Sequence, residues 1–108
     1  MTFSRDEVRA HLDLLLLSIV ERGAGHGYEM IQRLRERSGG ELDLAEGTLY
    51  PALRRLEEGG LLASDWQTVA GRRRRVYRLT GAGREELTRR RREWHLFSGI
   101  MARLVETP

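Results

Sequence analysis

Three stretches of the chain repeat their apolar residues at helical spacing, and each ends at glycine. Between Val8 and Val20, the residues Val8, Leu12, Leu15, Leu16 and Ile19 share one face, which Leu14, Leu17 and Val20 widen well past the usual ~100°. So broad a stripe needs cover on more than one side, and part of it is expected to meet a second subunit. Gly23-Ala24-Gly25 ends this helix. A second helix is expected from Gly27 to Arg37, with Met30, Ile31 and Leu34 inward and Gln32, Arg33, Arg35 and Glu36 outward; Ser38-Gly39-Gly40 stops it. The third places Leu49, Ala52, Leu53 and Leu56 at i, i+3, i+4, i+7 spacing. Two starts fit it. Asp43 with Glu46 can form a capping box, leaving Pro51 two turns in and opposite the adaptable Gly47. A start at Thr48 instead puts Pro51 in the first turn. Gly59-Gly60 closes the helix.

After Gly60 the period shortens. Leu61–Gln67 and Arg74–Leu79 are expected strands, the second rich in strand formers, and the loop from Thr68 to Arg73 holds the glycine a hairpin turn favours. Thr80 is then a good N-cap for one long helix from Arg84 to Val105. Along it Leu87, Arg90, Trp94, Phe97, Met101 and Leu104 follow a heptad seam, interrupted once by the arginine. The whole reads as mainly α with a small β-hairpin. The order of elements is that of a winged helix-turn-helix (residues 1–80) with a long C-terminal dimerisation helix (81–108).

A length of 108 residues with 40% hydrophobic and 32% charged positions suits one folded domain. The longest apolar run, Leu14–Leu17, is far below the ~20 residues of a membrane span. Arg5, Asp6, Glu7 and Arg9 break any N-terminal signal pattern, so a cytoplasmic location is expected. The absence of cysteine removes disulfides, thiolate metal sites and a thiol nucleophile. Charge adds more. All 19 basic residues are arginine, and they are unevenly spread: residues 1–60 hold eight against eleven acids, residues 61–108 eleven against five. An arginine-rich half beside an acidic half suits a nucleic-acid face, since the guanidinium fork matches phosphate and guanine edges.

Two clusters carry that chemistry. On the third helix, the surface opposite the leucine stripe presents Gly47, Pro51 and Arg54, flanked by Thr48, Tyr50 and Arg55. Its hydroxyls can reach phosphates, Arg54 can reach a base edge, and Gly47 lets backbone approach closely. A solvated helix face with incidental arginines would look the same. The run Arg72-Arg73-Arg74-Arg75, with Arg78 behind it, repels itself and needs an anion to be useful, such as a phosphate backbone or a narrow minor groove. A charge-protected edge strand is the plainer account of it.

Leu14-Leu15-Leu16-Leu17, His26-Gly27-Tyr28-Glu29, the segment from Gly47 to Leu62 beginning Gly-Thr-Leu-Tyr-Pro, and Gly71 to Gly83 with its Tyr-Arg-Leu-Thr strand together resemble the PadR-type transcriptional regulators, in their short form with a single C-terminal helix. The resemblance implies a homodimer on a palindromic operator in double-stranded DNA. It implies DNA contact by Tyr28, Thr48, Tyr50 and the wing arginines, and a final helix that crosses its partner and packs on the first helix. A dimer contact is thus expected at Leu12, Leu16, Leu87, Trp94, Phe97, Met101 and Leu104. The resemblance also implies a repressor released by a small-molecule inducer, with Trp94 as the residue to line its cavity; plain interface packing of that indole is the alternative. Arg90 is expected to pair with Glu86 or Glu93 across the dimer, or to face a cavity. His11, His26 and His95 lack spaced carboxylate or cysteine partners, so no metal or other cofactor is expected. No phosphate loop, nucleophile elbow or paired carboxylates suggest an enzyme. Two rival functions fit the same residues: a non-specific architectural DNA binder and a protein-interaction winged-helix module.

Overall fold

A computed structural model describes residues 5–106, with side chains from residue 11 onward. Its elements are α1 (Arg5–Glu21), α2 (Gly27–Arg37), α3 (Glu46–Glu58), β1 (Leu62–Val69), β2 (Arg72–Leu79) and α4 (Gly81–Glu106). The chain is mainly α, as its periodicity predicts. The apolar faces of α1, α2 and α3 meet in one core of Leu12, Leu16, Leu17, Ile19, Val20, Met30, Ile31, Leu34, Leu49, Ala52, Leu53 and Leu56. Leu62, Tyr77 and Leu79 close it from the hairpin and Leu87 from α4, while Leu14 and Leu15 pack half-buried at its margin. Val8 lies outside the described side chains.

The breadth of the α1 stripe therefore has a different explanation from the expected one. Leu16 is 0% and Leu12 4% exposed within the single chain, because helices, hairpin and α4 surround α1 together. Leu87, expected at the dimer seam, is also buried in its own chain, at 1% exposed. These three residues are core rather than partner-facing surface.

Each local device has a visible cause. His26 caps α2: its Nδ1 accepts from the Glu29 backbone N–H at 3.3 Å, and the Glu29 carboxylate accepts from the His26 N–H at 3.1 Å. Such reciprocal capping satisfies two amides that the first turn leaves orphaned. The helix ends on Gly39 and Gly40, both at positive φ, the latter donating back to the Arg35 carbonyl at 2.8 Å. Asp43 does not cap α3, since the Arg35 guanidinium holds its carboxylate at 2.6 Å. The cap is Ala45, without a side-chain bond, and α3 starts at Glu46, earlier than the alternative start at Thr48. Pro51 lies inside the helix and so cannot donate to the Gly47 carbonyl four residues back.

The hairpin is longer than the pattern suggests. Its strands pair antiparallel from Leu62↔Leu79 to Val69↔Arg72, joined by a two-residue turn at Ala70 and Gly71. Both turn residues have positive φ, 51° and 80°, which suits the right-handed twist of the strands. Arg72 and Arg73, expected in a loop, are consequently strand residues. Gly25 adds a short third rung, exchanging backbone hydrogen bonds with Tyr77 at 2.9 and 3.1 Å. Three helices and a wing in this arrangement make a winged helix-turn-helix.

Thr80 roots α4, which begins at Gly81, three residues before the expected Arg84. The Thr80 hydroxyl accepts from the Gly83 N–H at 2.9 Å and donates to the Gly60 carbonyl at 2.7 Å. Gly83 lies so close to the segment before β1 that an added Cβ would overlap the Leu61 carbonyl oxygen and come within 2.9 Å of Leu79 Cδ1. Gly83→Ala is expected to cost about 3 kcal/mol, because backbone on one side cannot yield. Urea denaturation of the two proteins measures it, and an unchanged midpoint would show that the contact can relax.

Candidate nucleic-acid interface

The N-terminal turns of α2 and α3 present neighbouring polar surface. Gly27, the first residue of α2, leaves room for the Tyr50 ring, which a Cβ there would meet at 2.7 Å. Tyr28 stacks near-parallel on His26, with centroids 6.5 Å apart, and both Tyr28 and Tyr50 remain largely exposed. Gly47 is exposed with open space around it, and Thr48 is half-buried on the next position. Arg54, on the outer face of α3, pairs among the described residues only with Glu58 one turn on, at 3.3 Å, with both side chains mostly in solvent. Exposed pairs of this kind hold a side chain weakly, so Arg54 is free to swing outward. Tyr50, Pro51, Arg54, Arg55 and Glu58 line an open depression of about 340 Å³ on this face. Arg55, at its edge, is bonded to Asp13 of α1.

The wing arginines divide by strand alternation rather than acting as one cluster. Arg73 and Arg75 share the face of Tyr77 and Leu79, and Arg72 and Arg74 share the opposite face with Arg78. Arg75 approaches the Glu57 carboxylate at 3.5 Å and Arg78 the Asp65 carboxylate at 2.7 Å. Arg72, Arg73 and Arg74 make no ion pair among the described residues.

A second run, Arg89 to Arg92, looks identical in sequence and is not equivalent in space. Arg89 bonds Glu86 at 2.7 Å and Glu93 at 2.6 Å, and Arg91 bonds Glu21 at 3.0 Å. Arg90 bonds Glu86 at 3.2 Å and approaches Asp13 at 3.6 Å, so its partners lie in its own chain. Asp13 therefore joins α3, through Arg55, to α4, through Arg90. The sequence gives no hint of this three-helix link, because its members lie far apart along the chain. The hydrogen bond from Arg89, with help from Arg90, lowers the Glu86 carboxyl from 4.5 to about 2. A carboxylate stabilised in the folded state contributes fully above its ordinary value and loses that contribution as pH falls toward the shifted one. Glu86→Gln is therefore expected to flatten the stability loss between about pH 4.5 and about pH 2 relative to the parent. Thermal melts across that window read the difference.

Of the residues expected at a dimer contact, Trp94, Phe97, Met101 and Leu104 lie exposed on α4 beyond its rooted first turns, together with Leu96, Ile100 and Val105. Leu104 is 74% exposed. His95 packs edge-on against Trp94, with centroids 5.5 Å apart. Among the described residues, no group of three or more His, Asp or Glu side chains is arranged to hold a metal ion. No helix among them is long and apolar enough to cross a membrane.

Comparison with known proteins agrees with this architecture. The family model described as "Transcriptional regulator PadR-like family" matches residues 16–89. Transcriptional regulator Rv3488 of Mycobacterium tuberculosis is 46% identical over 90 residues, covering 83% of this chain and 78% of that protein. A solved transcriptional regulator from Clostridium thermocellum superposes with a TM-score of 0.84 at 30% identity, over 93% of this chain and 98% of the other. A PadR family transcriptional regulator from Eggerthella lenta superposes with a TM-score of 0.81 at 34% identity, over 94% and 88%. Each of these relatives is described as a transcriptional regulator. On the family match and the shared winged helix, the chain belongs to the PadR-like family of transcriptional regulators.

Proposed function

We propose that the chain is a homodimeric repressor that binds a palindromic operator in duplex DNA and is released by a small-molecule inducer. The observation that carries the reading is the contrast between two arginine runs. Arg89, Arg90 and Arg91 are neutralised within the chain, whereas Arg72, Arg73 and Arg74 stand on the wing without carboxylate partners among the described residues. Uncompensated guanidinium on a narrow hairpin suits a polyanion. Tyr28, Gly47, Thr48, Tyr50 and Arg54 form the reading surface, with Arg72, Arg73, Arg74 and Arg75 on the flanking backbone. Residues 1–80 are the reading head, and residues 81–108 the pairing helix, rooted in the head by its first turns. Trp94, Phe97, Met101 and Leu104 supply the dimer contact; Trp94 also offers an inducer a planar surface. Operator occupancy blocks polymerase access in the cytoplasm, where the chromosome lies.

Anisotropy titration with the DNA upstream of the protein's own gene, against a scrambled duplex, tests the reading. Salt-sensitive, palindrome-selective binding is expected. Equal affinity for both duplexes would indicate an architectural binder, and no binding at all an interaction module. Arg54→Ala is expected to relax preference at one base pair of each half-site by about 1–3 kcal/mol and to leave scrambled-duplex affinity nearly unchanged. A uniform loss on all sequences would move Arg54 to the phosphate contacts.

A further inference from the structure

The wing carries an aromatic ring outside the contacts assigned above. Trp66 is 56% exposed on β1, on the face that continues outward from Leu62 and Ser64. The Arg73 and Arg75 guanidinium carbons lie 5.6 and 5.5 Å from the centre of its indole, within the ~6 Å range of cation–π attraction. Strand pairing sets Trp66 opposite Arg75, with Arg73 one rung further toward the turn on the same face. The arrangement is anchored at its base. Glu57, near the end of α3, accepts a 2.6 Å hydrogen bond from the Ser64 hydroxyl and approaches Arg75 at 3.5 Å. A continuous row thus leads from α3 through Glu57, Arg75 and Trp66 to Arg73. The other hairpin face lacks such a row: Asp65 neutralises Arg78 there.

A half-exposed indole bracketed by two cations is poorly placed for water and well placed for a sugar–phosphate chain, which offers an apolar ribose face between anions. We propose that Trp66 is a contact residue for the duplex backbone, its indole lying against a deoxyribose while it holds Arg73 and Arg75 over the adjoining phosphates. This rests on the reading that the chain binds duplex DNA.

The test uses the full chain and a labelled duplex of about 30 base pairs with scrambled sequence, since a backbone contact needs no operator. Trp66→Leu keeps an apolar side chain without a π face and is expected to bind about five- to tenfold more weakly. Its salt slope should also be smaller by about one, as an arginine loses its phosphate. Trp66→Phe retains a ring and is expected to stay within about threefold of the parent. The part of the tryptophan emission that Trp66→Phe removes should shift when duplex is added, a signal that is read without the leucine variant should that variant fold poorly. The proposal is overturned if the parent binds duplex while Trp66→Leu matches it in affinity and slope, or if the Trp66 emission is unchanged at saturation. A parent that binds no duplex overturns the underlying reading, and this proposal with it.

Discussion

Replacing Arg72, Arg73 and Arg74 together by alanine is expected to weaken binding to every duplex about a hundredfold and to lower the slope of log affinity against log salt by about two to three. Each guanidinium that displaces counterions from a phosphate contributes roughly 0.9 to that slope, and these three have no competing carboxylate among the described residues. Arg75 is left in place because Glu57 already engages it and because it steadies the hairpin against α3. The matching change on α4, Arg89→Ala, is the control. Its charge is absorbed by Glu86 and Glu93, so it should leave the slope almost unaltered. A wing variant with the parent's slope would remove the hairpin from the phosphate contacts.

If the proposed homodimer forms through α4, Phe97→Glu combined with Leu104→Glu is expected to give single subunits in sedimentation and to reduce palindrome affinity by about 10²–10⁴-fold, the gain that two linked heads provide over one. Both side chains stand in the open on α4, so the single chain does not need them to fold. Burying charge in their place against a partner is costly without a counter-ion. Leu16→Ala and Leu87→Ala should behave differently. Both leucines are sealed inside the protomer, and truncation should lower its stability by about 2–5 kcal/mol with the pairing surface intact. A double-glutamate variant that remains dimeric would place the subunit contact elsewhere.

The helices were legible because their apolar residues repeat at 3.6 spacing over long stretches, and Met30, Ile31, Leu34, Leu49 and Leu53 are buried as that spacing requires. What the pattern could not convey was which neighbour covers a face. Leu12 and Leu16, expected at a dimer contact, are covered within the chain by the same core that takes in Leu87 of α4. Neither start that the sequence allows matches α3, which begins at Glu46 after Ala45: Asp43 is a good cap in isolation, but Arg35 takes its carboxylate. In the wing, arginine is a weak strand former, so the strand character of Arg72 and Arg73 came from cross-strand pairing, not from local preference. Once the turn is fixed at Ala70 and Gly71, the pairing of Trp66 with Arg75 follows. Glu86 and Glu93 stand at helical spacing from Arg89 and Arg90, but nothing in the linear order shows that Arg91 meets Glu21, that Arg90 approaches Asp13, or that Arg72 to Arg74 have no carboxylate partner among the described residues. The candidate residues could be named from sequence, but their division of labour required the fold.

The carboxylate of Asp13 touches Arg55 on one side and Arg90 on the other, and it is only partly shielded from solvent. Ionic strength therefore reaches the molecule by two routes. It thins the ion cloud around the nucleic acid, and it also weakens the ion pairs that join α3, the proposed reading helix, to α1 and α4. Salt titrations of the native protein combine both, and Asp13→Ala, which removes the carboxylate that both arginines share, separates them.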